Sequence, residues 1–227
     1  MASDHEAIEA LRSALADAQQ ARDAAIAEAA ATRQRWQDER RDERHRLRNM
    51  LAVIRAIARR TGDDAETVED YCGILDGRLQ SYLNVQAAVA QDWNKGADLA
   101  LLLAGELLAF DLQEGERVEF HGPPVTMKSR AAGLLALAFH ELASAAIMSG
   151  RLDETSQLHI SWHLDGEALT LDWIEPAVAP AGAPETSSSW AEWVEQAIAH
   201  QLAGTMTTEM TAAGRSTRLI LPATAMC

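Results

Sequence analysis

Long uninterrupted apolar runs are missing from this 227-residue chain, although 48% of its residues are hydrophobic. A membrane-spanning helix needs about 18–20 consecutive apolar residues. The two best candidates, residues 97–110 and 131–148, are interrupted by Glu106 and by His140–Glu141. The N-terminus carries acidic residues and lacks the basic and apolar pattern of a signal peptide. We therefore expect a cytoplasmic protein with no membrane partner.

Cysteine is nearly absent, with only Cys72 and Cys227. Two thiols so far apart form neither a disulfide framework nor a metal-binding spacing, so we expect no metal site in the chain itself. Glycine and proline are missing from residues 3–44, which are rich in Ala, Glu, Arg, Asp and Gln. This composition predicts a long helix. Its heptad-like pattern has alanine at many core positions, which fits either a weak coiled coil or a solvated helical tail.

Positive charge is scarce, with 20 Lys and Arg against 34 Asp and Glu and a net charge of −14. Residues 33–60 are the exception, because they contain ten arginines and only four acids. A basic helix on an acidic body can indicate nucleic-acid binding, but most of this surface would repel phosphate backbones. We therefore expect no nucleic-acid partner, and the basic helix suits a small acidic partner surface better.

One histidine begins the sequence HRLRNMLAVIRAIARRT at residues 45–61. Apolar residues recur there at three- and four-residue spacing, which predicts an amphipathic helix. His45 lies off the apolar seam, in line with Asn49 one turn later, so its imidazole should face solvent. Three arginines flank it: Arg44, Arg46 and Arg48. The stretch predicts a site that accepts a phosphoryl group; the alternative is a surface histidine without a function.

The motif HRLRN resembles the phosphoacceptor box of the HWE and related histidine kinases, which reads H-R-x-K/R-N. Farther along, ALAFHELASAAIMSGRL resembles the first nucleotide-binding box of that family, with its His-Glu pair at His140 and Glu141. The segment LDWIEP resembles the family's W-x-E motif through Trp173 and Glu175. The three segments follow the family's order, and the resemblance covers about residues 42–222.

The residue pattern divides the chain into three regions. Residues 1–41 are expected to form a helical or coiled-coil extension, and residues 42–94 a helical hairpin. Its first helix is expected to end near Thr61–Gly62, and its second to open with Asp63–Asp64 and Glu66. Two apolar stripes on so small a hairpin need a partner, so we expect a homodimer with a four-helix bundle. In residues 95–227 the order β-α-β-β-α-β-β predicts an α/β sandwich. The resemblance identifies this sandwich as a GHKL (Bergerat-type) ATP-binding lobe, and the expected fold class is α+β.

The lobe departs from the family pattern where a nucleotide would bind. The resemblance places Ala145 where the family has the asparagine that holds magnesium, and a methyl group cannot coordinate a cation that demands oxygen ligands. The family's glycines after W-x-E are replaced by the Pro-, Ala- and Ser-rich residues 176–189. Trp190 and Trp193 follow and are large enough to fill a vacated cleft. We therefore expect a degenerate lobe that does not bind ATP.

The main hypothesis is that the chain is a histidine phosphotransferase of a bacterial two-component phosphorelay. His45 would exchange a phosphoryl group with receiver-domain aspartates without ATP, and the receiver would supply the Mg²⁺. Asn49 is expected to orient the imidazole, and the flanking arginines to contact phosphoryl oxygens or the receiver. The expected partners are response-regulator receiver domains, an upstream kinase or hybrid-kinase receiver, and a second copy of the chain.

Two alternatives remain open. The first is an active histidine kinase whose cleft tolerates the substitutions, and detectable ATP binding would favour it. The second is a non-catalytic adaptor that binds a receiver through the same surface, and such an adaptor would bind equally well with His45 changed.

Overall fold

The computed structural model describes residues 2–90, 96–152, 156–177, 189–211 and 214–227. These residues form two compact units, Met1–Arg55 and Ala56–Cys227. The functional regions predicted at residues 1–41, 42–94 and 95–227 stay predictions. The boundary between two packed units need not coincide with the boundary between two functional regions. The predicted boundary between residues 94 and 95 lies outside the described residues.

Helix α1, Ala2–Asp64, is a single helix of 63 residues and supplies the whole first unit. Its composition explains its length, because Ala, Glu, Gln and Arg all favour helix and no glycine or proline interrupts residues 3–44. The larger apolar side chains of the first unit are mostly exposed, and they include Leu11, Leu15, Ile26, Trp36, Leu47 and Leu51. Both interpretations of the N-terminal segment, coiled coil and solvated tail, therefore stay open.

The predicted end of this helix at Gly62 is wrong. Gly62 lies inside α1, which continues to Asp64, and the amide of Ala65 still donates to the carbonyl oxygen of Thr61 at 3.1 Å. A glycine within a helix costs only about 1 kcal/mol relative to alanine, which one retained turn of hydrogen bonds can offset.

The predicted opening of the second helix, at Asp63–Asp64 and Glu66, is two to five residues early. Helix α2 spans Val68–Ala90, and Thr67 caps it. The Asp70 amide donates to the Thr67 hydroxyl oxygen at 3.1 Å, and that hydroxyl donates to the Asp70 carboxylate at 2.7 Å. The acids of the first turn are Glu69 and Asp70 rather than Asp63–Asp64, because a hydroxyl cap satisfies an otherwise unpaired amide.

The rest of the second unit is an α/β sandwich. Its five-stranded sheet has the order β2-β4-β5-β7-β6; β2 and β4 are parallel and the other pairs antiparallel. The strands are β2 (Val118–His121), β4 (Leu158–Asp165), β5 (Ala168–Pro176), β6 (Thr205–Thr211) and β7 (Gly214–Pro222). A small antiparallel sheet pairs β1 (Ala97–Asp98) with β3 (Thr126–Met127). The helices are α3 (Leu99–Leu108), α4 (Ser129–Met148) and α5 (Ser189–Leu202), and the 3-10 helix Ala223–Ala225 follows β7.

The core lies between one face of the large sheet and the helices. Strand β5 alternates buried and exposed side chains, as a half-buried strand should. The ring of Phe139 on α4 stacks on Trp173 of β5 with centroids 6.2 Å apart. Gly166 has a positive φ of 58° in the β4–β5 turn, where a turn is predicted at Asp165–Gly166. The predicted α+β class and α/β sandwich are confirmed.

Helix α4 is the single described helix whose length and apolar content would also suit a membrane span. Two thirds of its apolar window is buried inside the protein, as expected of a core helix. The predicted cytoplasmic location stays a prediction.

Candidate functional site

His45 lies on an exposed stretch of α1 in the first unit. One turn later, the side-chain amide nitrogen of Asn49 lies 3.1 Å from the His45 Nδ1 atom. The pairing follows from helix geometry, because residues four apart stack on one side. Asn49 therefore contacts Nδ1, the ring nitrogen nearer the backbone. The other ring nitrogen, Nε2, points away from Asn49.

The Asn49 amide can set the tautomer of the His45 imidazole. With its NH₂ group toward the ring, Asn49 donates to Nδ1, and the neutral ring carries its proton on Nε2. With the amide rotated by half a turn, the Asn49 oxygen accepts from Nδ1–H, and the lone pair of Nε2 becomes available. The two amide orientations occupy nearly the same space. The second orientation is the one that makes Nε2 a nucleophile.

The arginines near His45 do not all lie on the same side of α1 as the histidine. All of residues 41–48 are exposed, and the Arg44 side chain donates to the Arg40 carbonyl oxygen at 3.2 Å. Arg48 shares the side of His45 because it is three residues away, whereas Arg46, the next residue, is displaced by about 100° around the helix axis. Arg41 lies four residues before His45 and shares its side too. Sequence reasoning missed Arg41, although the four-residue spacing was a readable signal.

In the second unit, Glu141 of the predicted nucleotide box is held by a buried arginine of α2. Arg78 is 3% exposed, and its Nε donates to the Glu141 carboxylate at 2.8 Å. Its two terminal nitrogens donate to the Thr61 hydroxyl and to the Asp64 carboxylate, each at 3.0 Å. Its guanidinium carbon stands 4.2 Å from the centre of the Trp190 ring.

Sequence reasoning missed Arg78 as well. A signal existed, because Arg78 falls on the apolar stripe of the predicted second helix, between Leu75 and Tyr82. A charged residue on a buried stripe needs partners. The identity of those partners is not readable from the sequence, because Glu141 lies 63 positions away.

His140 is a packed, partly buried side chain. Its ring lies 5.0 Å from that of Phe110, and its Nδ1 is 3.7 Å from the Glu106 carboxylate, which is too long for a hydrogen bond. Gly77 of α2 faces the same ring, and a Cβ at that position would stand 3.2 Å from its Nε2. These contacts fit the interpretation of His140 as a structural histidine.

The W-x-E residues form a second buried cluster on β5. Both Trp173 and Glu175 are fully buried, since residues two apart on a strand share a face. The indole N–H of Trp173 donates to the Glu175 carboxylate at 3.0 Å. Arg151 and Arg215 approach the same carboxylate at 3.3 and 3.9 Å. Burial raises the pKa of Glu175 above its usual value of 4.5, and the attraction of Arg215, the Trp173 hydrogen bond and Arg151 offset only part of that rise.

Glu175→Gln should change how stability depends on pH. A raised pKa means that the folded protein binds this proton more tightly than the unfolded chain. That contribution is complete below the usual glutamate pKa of about 4.5 and is lost as the pH rises through the raised value. The free energy of unfolding of the wild type, minus that of Glu175→Gln, should therefore fall between pH 4.5 and 7.5, by about 1.4 kcal/mol per unit of pKa shift.

Urea denaturation at several pH values measures this difference, with Glu167→Gln in the exposed β4–β5 turn as the control that leaves it flat. A difference that rises with pH would mean that the two arginines outweigh the burial of the carboxylate.

The surroundings of Glu141 do not fit the magnesium ion that a nucleotide of this family brings. One Glu141 oxygen already accepts from Arg78, and Ala145, one turn later on α4, offers only a methyl group. Within the described ranges, no group of three or more His, Cys, Asp and Glu side chains is placed to hold a metal ion. We therefore derive no chemical step through a metal, and the expectation that a receiver supplies the Mg²⁺ stays a prediction.

The predicted site residues fall into three places. His45 and Asn49 lie together on α1, and His140, Glu141 and Ala145 lie on α4. Trp173 and Glu175 lie on β5. Residues 178–188 of the predicted glycine-poor loop, and Ala213 of the predicted last hairpin turn, lie outside the described residues. Trp190 is fully buried and packs on Trp193 with ring centroids 4.6 Å apart.

Comparisons of both the sequence and the fold find similarity to histidine kinases. The model of the HWE histidine kinases matches residues 43–124. Blue-light-activated histidine kinase 1 of Erythrobacter litoralis is 27% identical over 185 residues, which are 79% of this chain and 51% of that protein. The blue-light-activated histidine kinase of Brucella ovis is 27% identical over 119 residues, 52% of this chain and 24% of that protein.

Among solved structures, the histidine kinase domain of the Erythrobacter litoralis EL346 blue-light activated histidine kinase has a similar fold. Its TM-score is 0.53 at 16% identity, and the match covers 78% of this chain and 85% of that one. The chain spans about half the length of the first curated relative and about a quarter of the second.

These matches correct the main functional hypothesis. A phosphotransferase that relays phosphoryl groups without ATP was expected, but the matched family and both relatives are histidine kinases. The findings favour the first alternative, an active kinase, over the phosphotransferase.

Proposed function

Because residues 43–124 match the HWE histidine kinases and the relatives are histidine kinases, we propose that the chain transfers the terminal phosphoryl group of ATP to His45. The observation that carries the proposal is the His45–Asn49 contact of 3.1 Å within the matched residues. In the reaction, Nε2 forms a bond to phosphorus as the bond from phosphorus to the bridging oxygen of ADP breaks. ADP leaves with that electron pair. Catalysis of such a transfer depends mainly on positioning the reacting groups and on stabilising the charge of the phosphoryl oxygens.

Asn49 acts on this step through the imidazole. When its oxygen accepts from Nδ1–H, the proton is held on Nδ1 and the lone pair of Nε2 points outward. Arg48 and Arg41 lie on the same side of α1 and can attract the phosphoryl oxygens. The phosphoryl group then passes to the aspartate of a receiver domain, whose acidic pocket suits the ten arginines of residues 33–60.

The proposed assembly is a homodimer. The hairpin of residues 42–94 is the predicted dimer element, and its pairing with a second copy would cover the exposed side chains of Leu47 and Leu51. Histidine kinases of this kind pass phosphoryl groups to response regulators, so a receiver domain is the proposed downstream partner.

Asn49→Ala should slow the labelling of His45 by roughly 10–100-fold, the loss typical when the partner that orients a histidine is removed. Asn49→Asp should retain most of the rate, because a carboxylate oxygen accepts from Nδ1–H without the need for an amide rotation. Initial rates of label uptake from ATP measure both. Equal rates for Asn49→Ala and the wild type would remove Asn49 from the mechanism.

Titration of Mg-ATP into the full chain by calorimetry tests the proposed function at its first step. Saturable binding is expected, and weak affinity is consistent with Ala145 in the nucleotide box. The earlier expectation that ATP does not bind stays a competing prediction. The absence of any saturable heat at millimolar nucleotide would support that prediction and contradict the kinase proposal.

A further inference from the structure

Arg78 joins three separate elements of the second unit at a buried position. It bonds Thr61 and Asp64 at the end of α1 and Glu141 on α4, and it stacks on Trp190 at the start of α5. Burial of a guanidinium carries a large desolvation cost, which here is offset by two carboxylates, a hydroxyl and an aromatic face. The planar group with its fixed fork of donors is suited to hold several partners at once.

Glycines on both helices let α2 lie close against α4. A Cβ added to Gly77 of α2 would stand 3.2 Å from the His140 ring. A Cβ added to Gly133 of α4 would stand 2.9 Å from Gln86 and 3.1 Å from Tyr82 of α2. Helix α2 therefore covers α4 from Gly133 to Glu141, over the first part of the nucleotide box.

This contact places the His140–Glu141 pair of the box under α2. The Glu141 side chain is only 19% exposed, and its Oε1 atom accepts from Arg78. The Trp190 ring beneath the guanidinium is fully buried, and its indole nitrogen has no hydrogen-bond partner among the residues that the structure describes. A ligand that bonds the same Glu141 oxygen has to displace Arg78, and with it the contact that ties α2 to α4 and α5.

We propose that Arg78 closes an autoinhibitory contact, which holds α2 on the nucleotide box and keeps Glu141 engaged until α2 moves away. The inference rests on the proposed kinase function. Release of Arg78 frees Glu141 and uncovers the adjoining face of α4. Arg78 is thus a positioning residue, which sets the fraction of molecules able to take up nucleotide.

Arg78→Lys should bind nucleotide more tightly than the wild type. Lysine keeps the positive charge but presents one compact ammonium group, which cannot bond Glu141, Thr61 and Asp64 together or stack equally well on Trp190. We expect the dissociation constant for Mg-ADP to fall at least tenfold and hydrogen exchange in α2 to rise. Arg218→Lys is the matched control, because Arg218 also pairs with a carboxylate, Asp172 at 2.7 Å, but lies exposed and outside this contact.

A gain of affinity separates this role from a structural one, since loss of a merely structural arginine weakens the fold and with it the binding. The full chain also provides a test that needs no variant. Mg-ADP should increase hydrogen exchange in α2 of the wild type, because nucleotide and Arg78 compete. If Arg78→Lys fails to fold, hydrogen exchange of the wild type with and without Mg-ADP still tests the proposed contact.

The possible outcomes distinguish failure of the autoinhibitory contact from failure of the kinase proposal. Unchanged Mg-ADP affinity and unchanged α2 exchange in a folded Arg78→Lys protein would overturn the autoinhibitory contact, while equal labelling of His45 in both proteins would leave the kinase proposal intact. Protection of α2 by nucleotide in the wild type would also overturn the contact. Increased α2 exchange in Arg78→Lys without nucleotide binding by either protein would show that Arg78 only stabilises the fold, and would overturn both the autoinhibitory contact and the kinase proposal.

Discussion

His45→Gln should abolish phosphate uptake from labelled ATP, and the label on the wild-type protein should be acid-labile and base-stable, as expected of a phosphoimidazole. Glutamine keeps a polar side chain that suits a helix but has no nucleophilic nitrogen, so the expected loss is complete. The measurement is the incorporation of radioactive phosphate into the full chain after acid and base treatment. The fold should not change, because His45 is exposed on α1.

His200→Gln is the matched control for this change. His200 is another exposed helical histidine, on α5, and its Nδ1 lies 2.8 Å from the Gln196 carbonyl oxygen. It should take up the label at the wild-type rate. Label that persists in His45→Gln would mean that another residue is the acceptor.

Trp173→Ala is the substitution with the largest expected cost in stability, about 3–5 kcal/mol, which is typical of removing a buried tryptophan. The side chain is fully buried, stacks on Phe139 and donates to the buried Glu175 carboxylate. Trp173→Phe keeps a ring against Phe139 but removes the donor, so it should cost less, about 1–3 kcal/mol.

Urea denaturation followed by the fluorescence of the remaining tryptophans gives both values. Trp36→Ala is the control, because Trp36 is 63% exposed, and its change should stay within about 0.5 kcal/mol. A cost below 1 kcal/mol for Trp173→Ala would show that the W-x-E residues do not organise the lobe.

Local patterns predicted the elements of this protein better than their ends or their contacts. The alternation of β5 and the three-and-four spacing around His45 are properties of neighbouring residues, so strands, helices and sandwich followed from them. The helix end at Gly62 failed because a glycine permits a terminus without requiring one. The hydroxyl cap at Thr67 competes with the nearby acids, and the structure uses the cap.

In the candidate site too, contacts between residues close in sequence could be predicted, and contacts between distant elements could not. The His45–Asn49 contact follows from a four-residue spacing, and the shared face of Trp173 and Glu175 from a two-residue spacing. The Arg78–Glu141 pair depends on how α2 packs on α4, which no local pattern encodes. The substitution at Ala145 and the missing glycines after W-x-E were visible in the sequence and predicted an ATP-independent relay. The similarity to histidine kinases corrects that prediction.

The most direct test of the kinase proposal is to compare two phosphate donors for the full chain. The wild-type protein is incubated either with γ-labelled ATP and Mg²⁺ or with a phosphorylated receiver domain, and the label on His45 is measured in both. The proposal predicts acid-labile label from ATP alone in the wild type, and no label in His45→Gln. Label from the receiver, with none from ATP in either wild type or Arg78→Lys, would contradict it.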